Sequence, residues 1–235
     1  MQLFYNPDIS ESTTQITFDK IESKHIVRVL RKKENDMLSI TNGKGFLFDV
    51  KISVASDKKC VAEIISITEK PKPWNYYLHI AIAPTKNNDR IEWFLEKATE
   101  IGIDEITPII CQNSERRVVK LERFEKIIQS AMKQSLKFTI PKLNKPIKFN
   151  EFINQEFEGN ICIAHCEDDE KKFLKSVINS SEKTTILIGP EGDFSNQEIK
   201  KALENNFSPI SLGESRLRTE TAGLVAVQTV AIINQ

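Results

Sequence analysis

A short segment divides the sequence into two parts with different periodicities, and it reads Lys70-Pro71-Lys72-Pro73. Proline lacks a backbone N–H group and fixes its φ angle, so neither a central strand nor a helix continues easily through this segment. A chain of 235 residues is long enough for one large domain or two smaller ones. We therefore predict two domains, residues 1–72 and 73–235.

The first part is predicted to be mainly β-structure. Strand-like apolar runs occupy Met37–Thr41, Phe46–Val54 and Val61–Ile67. An Asn-Gly turn, the strongest short hairpin signal, separates the first two runs. One helix is expected over Ser23–Arg31, with Ser23 as its N-cap. A small β-barrel with one helix accounts for this pattern.

The second part alternates between strands and helices. The predicted strands are Tyr76–Ala83, Glu105–Ile110, Asn160–His165, Thr185–Ile188 and Phe207–Leu212. The predicted helices are Asp89–Ile101, Lys120–Lys137, Ser195–Asn205 and Ala222–Ile233. Short apolar strands that alternate with helices are typical of an α/β domain built on a parallel sheet. Ligands of such sheets bind beyond the carboxyl ends of the strands.

The composition is that of an ordinary globular protein, with 40% apolar and 28% charged residues. No apolar run approaches the roughly 18 residues of a membrane-spanning helix, and the first residues do not resemble a signal peptide. Four cysteines are too few for a disulfide framework. Cys162, His165 and Cys166 resemble part of a zinc site, but a structural site needs four ligands. We expect a reduced, cytoplasmic protein with no membrane segment and no metal.

Basic residues are concentrated in one stretch, although the formal net charge is zero. Between Cys111 and Lys148 there are ten basic residues and only three acidic ones. Charge segregated in this way creates a positive face that attracts phosphate backbones. A solvated helix face explains the same pattern, and charge alone slightly favours that simpler explanation over RNA binding.

The first candidate binding loop follows the predicted strand Thr185–Ile188 and reads Gly189-Pro190-Glu191-Gly192-Asp193-Phe194-Ser195. Its glycines allow close backbone approach, and Ser195 with Glu198 forms a capping box for the next helix. Backbone N–H groups at such a helix start bind polar or anionic ligands. An ordinary strand-to-helix turn is the alternative. The loop lacks the GxGxxG and P-loop patterns, so neither dinucleotide nor triphosphate binding is supported.

The second candidate loop precedes the final helix and reads Leu212-Gly213-Glu214-Ser215-Arg216-Leu217-Arg218-Thr219-Glu220-Thr221-Ala222-Gly223. Its arginines offer planar donors to a phosphate or a base edge. Thr219 or Thr221 is expected to cap the helix. Glu220 is electrostatically favoured near the positive end of that helix, so a structural role explains Glu220 equally well.

In combination, these motifs resemble those of the ribosomal small subunit methyltransferase E family, a member of the SPOUT class. The resemblance rests on the two loops, in this order and spacing, and it covers nearly the whole chain. Further matching segments are His25–Arg31, Lys97–Gly102 with Pro108, and Ala131–Ser135 before Pro141.

The resemblance implies a PUA-like β-barrel over residues 1–72, followed over 73–235 by a SPOUT α/β domain with a C-terminal trefoil knot. It implies a homodimer, with the final helix at the interface, that uses S-adenosylmethionine to methylate N3 of a uridine in 16S rRNA of the small ribosomal subunit. The knot rests on the resemblance alone, because periodicity does not predict threading.

The same resemblance implies the site residues. Those expected to bind the cofactor are His165, Leu187, Ile188, Gly189, Glu191, Gly192, Leu212, Gly213, Ser215, Leu217 and Arg218. Those expected to bind RNA are His25, Arg28, Arg31 and Lys32 in the first domain and Arg116 and Arg117 in the second. A strand-end histidine without a role remains the alternative for His165, and a solvated helix end remains the alternative for the first-domain cluster.

Arg218 and Glu220 are the expected catalytic residues. Uracil N3 carries a proton, so methyl transfer needs a base, or a positive group that stabilises the uracil anion. We hypothesise that Arg218 stabilises this charge or holds an RNA phosphate. Glu220 would then accept the proton or orient Arg218.

The sequence departs from the family pattern at two places. Asp193 stands where the family generally has the last glycine of Gly-Pro-Glu-Gly-Gly, and an arginine usual near the N-terminus is missing from Met1-Gln2-Leu3-Phe4-Tyr5. Two other functions remain open at this stage. The chain would be a non-catalytic RNA-binding dimer in one, and a SPOUT methyltransferase with a different RNA target in the other.

Overall fold

The structure, a computed structural model, describes residues 2–167 and 170–235, which form two compact units. The first unit contains the chain up to Pro73 and the segment Met132–Ile140. The remaining residues, 74–131 and 141–235, form the second unit.

The segment Met132–Ile140 corrects the expected division of the chain, which placed it in the second domain. It belongs to the first unit because its backbone pairs there. Gly45 N donates to Phe138 O at 2.8 Å, and Ile140 N donates to Gly43 O at 2.9 Å. The predicted helix Lys120–Lys137 is present over Leu121–Gln134 and so runs into this segment, but no local sequence pattern shows that the segment pairs with the first unit.

The first unit is a curled five-stranded sheet with one short helix. Its elements are β1 (Leu3–Tyr5), β2 (Gln15–Thr17), α1 (Lys20–Lys24), a π-helical turn (His25–Val29), β3 (Met37–Thr41), β4 (Phe46–Val54) and β5 (Val61–Glu69). The strand order is β1-β3-β4-β5-β2, with β1 parallel to β3 and the other pairs antiparallel. The predicted bounds of β3 and β4 and the hairpin between them are confirmed. The three-residue strands β1 and β2 were missed, because so few residues show no periodicity.

The predicted N-cap of the first helix is wrong. Asp19 caps it instead, with its Oδ1 accepting a 2.7 Å hydrogen bond from Glu22 N. Ser23 lies inside the helix and is buried, where its hydroxyl donates to Phe18 O and accepts from Cys60 N at 2.8 Å. Ser23 therefore does not start the helix. It links the helix to Phe18, just after β2, and to Cys60, just before β5.

The second unit contains the remaining elements. They are β6 (Tyr77–Ile82), α2 (Asn88–Ile101), β7 (Glu105–Ile110), α3 (Leu121–Gln134, whose last three residues belong to the first unit), β8 (Lys142–Leu143), β9 (Ile147–Lys148), α4 (Phe149–Phe152), β10 (Asn160–Ala164), β11 (Lys172–Phe173), a 3-10 turn (Leu174–Ser176), β12 (Lys183–Ile188), α5 (Asn196–Glu204), β13 (Ser208–Ser211) and α6 (Thr219–Ile233).

These strands form one parallel sheet, as the sequence predicted. The order is β11-β13-β10-β12-β6-β7-β8, with β9 also pairing with β7, and each of these pairings is parallel. Every predicted strand is present. The additional strands β8, β9 and β11 have two residues each, too few for a sequence signal.

The two helices that follow the candidate loops begin differently. Ser195 caps α5, and the predicted capping box with Glu198 is confirmed. The N-cap position of α6 belongs to Arg218, which makes no side-chain capping hydrogen bond. The expectation that Thr219 or Thr221 caps this helix is therefore wrong, because both residues already lie inside it.

Helix α6 packs closely against α2 and β6 through a glycine. A Cβ atom on Gly223 would lie 2.7 Å from the Phe94 ring and 2.9 Å from Ile82 Cδ1, too close to be accommodated without movement. Part of the apolar surface of α6 thus packs within the unit. Within residues 2–167 and 170–235, no helix has the length and apolar character needed to cross a membrane.

A buried polar cluster lies at the amino ends of β6 and β7. His79 Nε2 lies 2.7 Å from Thr107 Oγ1, and its Nδ1 lies 4.0 Å from Glu105 Oε2. Burial lowers the pKa of His79 to about 4 despite that carboxylate. Burial alone would raise the pKa of Glu105, but hydrogen bonds from Lys142, Tyr77 and Asn144 outweigh it and lower that pKa to about 2.

We predict that His79 makes the fold less stable in mild acid. The folded-state pKa is below the usual value of about 6.5, so the unfolded chain takes up a proton first, and stability falls as the pH drops from about 6.5 towards 4. Between pH 7 and pH 5 this contributes a loss of about 2 kcal/mol. Urea unfolding of wild type and the His79→Gln variant at both pH values measures it. A variant with an unchanged loss between the two pH values would contradict the prediction.

Candidate functional site

Three neighbouring strands bring the candidate loops to one edge of the sheet. Strand β10 lies between β13 and β12, and both pairings are parallel. The carboxyl ends of all three strands therefore meet, and the segments that follow them begin at 165, 189 and 212. The chain order of these segments gives no sign of this grouping, which results from sheet topology.

Two adjoining cavities, of about 350 and 650 Å³, lie among these segments. Ligand pockets usually fall within about 300–1,000 Å³. The residues that line both cavities are Ala164, Cys166, Asp193, Arg216, Leu217 and Ala222. One continuous recess at the carboxyl edge of the sheet is therefore lined from all three segments.

Most of the residues expected to bind the cofactor line these cavities. The smaller cavity is lined by Ile188, Gly189, Glu191, Leu217 and Arg218, and the larger by His165, Gly192, Leu212, Gly213, Ser215 and Leu217. Leu187 is the exception, because it is buried in the apolar core with Ala81 and Ile163.

The glycines in the two loops have different roles. A Cβ atom on Gly189 would lie 3.1 Å from the Phe194 ring and 3.2 Å from Asp193 Oδ1, so any side chain at this position would have to displace one of these neighbours. Gly213 has open space around it but a φ of +138°, which side chains rarely adopt. The recess therefore combines these glycine backbones with apolar side chains such as Ile188 and Leu217 and with charged side chains such as Arg216 and Asp193.

Glu191 connects the β12 loop to the segment after β6. Its Oε1 accepts a 2.9 Å hydrogen bond from Lys86 N. The Arg116 guanidinium holds the same segment, donating to Lys86 O at 2.6 Å and to Thr85 O at 3.1 Å. Arg116 therefore supports the loops with donors that the sequence analysis assigned to RNA.

A second connection joins the β12 loop to the segment after β7. Asn113 Nδ2 donates to the carbonyl oxygens of Gly192 and Asp193, each at 3.1 Å. Arg117 donates to Gln112 O, also at 3.1 Å. Asn113 was not among the predicted site residues, although its position just after a predicted parallel strand was a usable signal.

The two expected catalytic residues have different surroundings. Arg218 lines the smaller cavity at the start of α6. Glu220 is buried, and its Oε1 lies 3.8 Å from Arg90 Nε. Its Oε2 is buried without a hydrogen-bond partner in the part of the chain that the structure describes. The observed cationic neighbour of Glu220 is thus Arg90, a residue that the sequence analysis did not select.

The residues expected to bind RNA in the first unit are partly engaged already. Arg28 forms a 2.6 Å ion pair with Asp57, and its hydrogen bond lowers the pKa of that carboxyl group. Lys32 Nζ donates to Met37 O at 3.3 Å. His25 is half-buried beside Phe4, and Arg31 has a φ of +55°.

The four cysteines differ in exposure. Cys60, Cys111 and Cys162 are buried, and burial raises the pKa of the Cys162 thiol to about 12. Cys166 is exposed and lines both cavities. Over the described ranges, no group of three or more His, Cys, Asp or Glu residues is arranged to hold a metal ion.

Two family models match the chain. Residues 72–231 match a model of an RNA methyltransferase domain, and residues 18–65 match a model of an RNA methyltransferase PUA domain. The larger match covers the whole sheet of the second unit and both candidate loops.

Individual relatives match over nearly the same length. Ribosomal RNA small subunit methyltransferase E from Buchnera aphidicola subsp. Acyrthosiphon pisum is 32% identical over 91% of this chain and 86% of its own. The crystal structure of a probable rRNA methyltransferase from Porphyromonas gingivalis is 43% identical, with a TM-score of 0.93 over 100% of this chain and 98% of that one.

A third relative was solved with a bound ligand. Ribosomal RNA small subunit methyltransferase E from Neisseria gonorrhoeae, bound to S-adenosylmethionine, is 25% identical with a TM-score of 0.85. The match covers 97% of this chain and 95% of that chain.

We predict that Glu198 stabilises the base of the site. It is buried, with Oε1 accepting from Gln112 N at 2.8 Å and Oε2 from Ser195 N at 2.9 Å. Glu198→Ala leaves these donors without that partner, and we expect a loss of about 2–3 kcal/mol in the free energy of unfolding. Glu204→Ala, at the exposed end of the same helix, should change it by less than about 0.5 kcal/mol. Equal effects in urea unfolding would contradict this role.

Proposed function

The chain belongs to the ribosomal RNA small subunit methyltransferase E family of RNA methyltransferases, and we propose that it transfers a methyl group from S-adenosylmethionine to N3 of a uridine in 16S rRNA. The observation that carries this proposal is the two-cavity recess at the carboxyl edge of the sheet. All but one of the residues that the family resemblance assigns to cofactor binding line that recess.

The recess suits the chemistry of this cofactor. Ile188, Leu212 and Leu217 supply apolar walls. The backbone of the loops that contain Gly189 and Gly213 would supply hydrogen-bond donors and acceptors. Such surroundings fit an adenine ring, whose edges pair with backbone groups and whose faces are apolar. When bound, S-adenosylmethionine supplies a methyl group activated by the sulfonium charge.

Arg218 is proposed to act on the nucleobase side of the reaction. Uracil N3 becomes a good nucleophile only as its proton leaves, so negative charge develops on the ring. The Arg218 side chain lines the smaller cavity next to the start of α6, where the helix dipole also favours negative charge. Both groups would stabilise the uracil anion.

Glu220 is proposed to accept the N3 proton or to orient Arg218. It follows Arg218 by two residues, and its buried Oε2 lacks a hydrogen-bond partner among the described residues. A buried carboxylate oxygen that receives no hydrogen bond is able to accept a hydrogen bond, and then the proton, from a substrate N–H group. The Arg90 guanidinium, 3.8 Å from the other carboxylate oxygen, would hold the Glu220 side chain in place.

RNA binding and assembly complete the proposal. The first unit would contact the phosphate backbone of the rRNA and position it, without reading its sequence. The residues proposed for these contacts are His25, Arg28, Arg31 and Lys32. A cytoplasmic homodimer would form through α6, which leaves Ile232 exposed at its end. The trefoil knot remains part of this proposal through the family resemblance.

We expect saturable binding of S-adenosylmethionine and S-adenosylhomocysteine in titration calorimetry. Gly189→Val should abolish it, because even a Cβ atom at that position lies 3.1 Å from the Phe194 ring. Thermal unfolding of the variant checks that the loss is local. Absence of binding to wild type at millimolar ligand, with or without 16S rRNA, would contradict a cofactor site.

Single-turnover methylation of 16S rRNA tests the two catalytic residues. We expect Arg218→Ala and Glu220→Gln each to lower the rate by about 10²–10⁴-fold, the usual contribution of acid–base or charge-stabilising groups. Glu204→Gln removes a charge from an exposed position on α5 and should leave the rate unchanged. Near-wild-type rates in both catalytic variants would contradict the assigned roles. Methylation at another nucleotide would contradict the assigned target.

A further inference from the structure

Asp193 occupies an unusual backbone conformation in the wall shared by the two cavities. Its φ is +60°, in the left-handed region that glycine adopts most easily. Aspartate is tolerated there better than most other residues, but a glycine would satisfy the backbone with less strain. The backbone conformation alone therefore does not account for an aspartate at this position.

The side chain joins two loops that are distant in sequence. Asp193 Oδ2 accepts a 2.7 Å hydrogen bond from Cys166 N, in the segment that follows β10. Its Oδ1 accepts a 2.8 Å hydrogen bond from Phe194 N, within its own loop. One carboxylate thus connects the end of one strand to the loop of the next, and each bond has a charged acceptor.

The backbone of Asp193 is fixed as well. Its carbonyl oxygen accepts from Asn113 Nδ2 at 3.1 Å, and its N–H donates to Pro190 O at 2.9 Å. The carboxylate is therefore held on a loop that is itself anchored, so it can set the position of Cys166. Cys166 and Asp193 both line both cavities.

We propose that Asp193 is a positioning residue that latches the β10 segment to the β12 loop and thereby shapes the cofactor recess. This inference rests on the proposed function of that recess. A glycine at this position makes the same turn without the latch, so the β10 wall would be held less firmly. Ordering that wall would then have to be driven by cofactor binding, at a cost in affinity.

The Cys166 thiol provides a local reporter of the latch. Burial and the Asp193 carboxylate raise the pKa of this thiol, while Arg216 and Lys171 act in the opposite direction. Removing the carboxylate should lower that pKa and speed alkylation, because the thiolate is the reactive form. The other three cysteines are buried, so iodoacetamide should label Cys166 selectively.

The test compares Asp193→Gly and Asp193→Asn with wild type. We expect Asp193→Gly to weaken S-adenosylmethionine and S-adenosylhomocysteine equally, by about 10-fold, from the loss of two charge-assisted hydrogen bonds. At saturating cofactor the methylation rate should stay within about threefold of wild type. Asp193→Asn keeps a residue suited to the left-handed region, but its amide accepts only one of the two bonds, so its affinity should be intermediate.

Asn206→Gly is the matched control. Asn206 is exposed in the same unit and has a φ of +65°, so the change from a polar residue to glycine occurs in the same backbone conformation without a latch. Cofactor affinity and Cys166 alkylation should both match wild type. Measuring alkylation from pH 6 to pH 10 gives the thiol pKa of each protein, and the midpoint should move to lower pH in both Asp193 variants.

The outcomes separate the latch from the proposed function. Unchanged cofactor affinity in both Asp193 variants would overturn the proposal that the latch shapes the recess, and an unchanged alkylation profile would overturn the latch itself. If wild type binds no cofactor, the proposed function fails, while a shifted alkylation midpoint still shows the contact between Asp193 and Cys166. Equal losses in Asn206→Gly would also overturn the proposal, because they would show a general effect of glycine substitution.

Discussion

The parallel pairing of β10 with β12 on one side and β13 on the other determines the rest of the site. Ile163 lies in register with Leu187 and with Pro209, so the three strands end at nearly the same level. Parallel strands point their carboxyl ends in one direction, and the segments that follow them must share one edge. A recess lined by residues more than fifty positions apart follows from this pairing.

Three carboxylates from the β12 loop and the first turn of α5 hold that edge together. Glu191 accepts from Lys86 N after β6, Glu198 accepts from Gln112 N after β7, and Asp193 accepts from Cys166 N after β10. Backbone N–H groups beyond strand ends have no ladder partner, and leaving them unpaired is costly. Two acidic residues of the loop, Glu191 and Asp193, and Glu198 in the first turn of α5 therefore satisfy three neighbouring loops and fix the shape of the recess.

The sequence predicted the fold well where a local pattern was clear. Examples are the apolar strand Glu105–Ile110 and the capping box at Ser195. Two-residue strands such as β8 could not be predicted, because they are defined by pairing with a neighbouring strand and two residues show no periodic pattern. The role of Arg116 was also hidden, since its carbonyl partners Thr85 and Lys86 lie some thirty residues away. Asp193 was visible as a departure from the family pattern, but its partner at Cys166 depends on the sheet order. The two candidate loops were visible as glycine-containing segments after predicted strands, with an ordinary turn as the alternative for the first. Their assignment to the cofactor came from the family resemblance.

A crystal structure of the protein with S-adenosylmethionine tests the central claim most directly. We expect the cofactor in the recess between the segment that begins at Gly189 and the segment that begins at Leu212, with its adenine against backbone groups and its sulfonium towards Arg218. Cofactor bound elsewhere on the chain, with these loops uninvolved, would contradict the claim that three parallel strand ends build the active site.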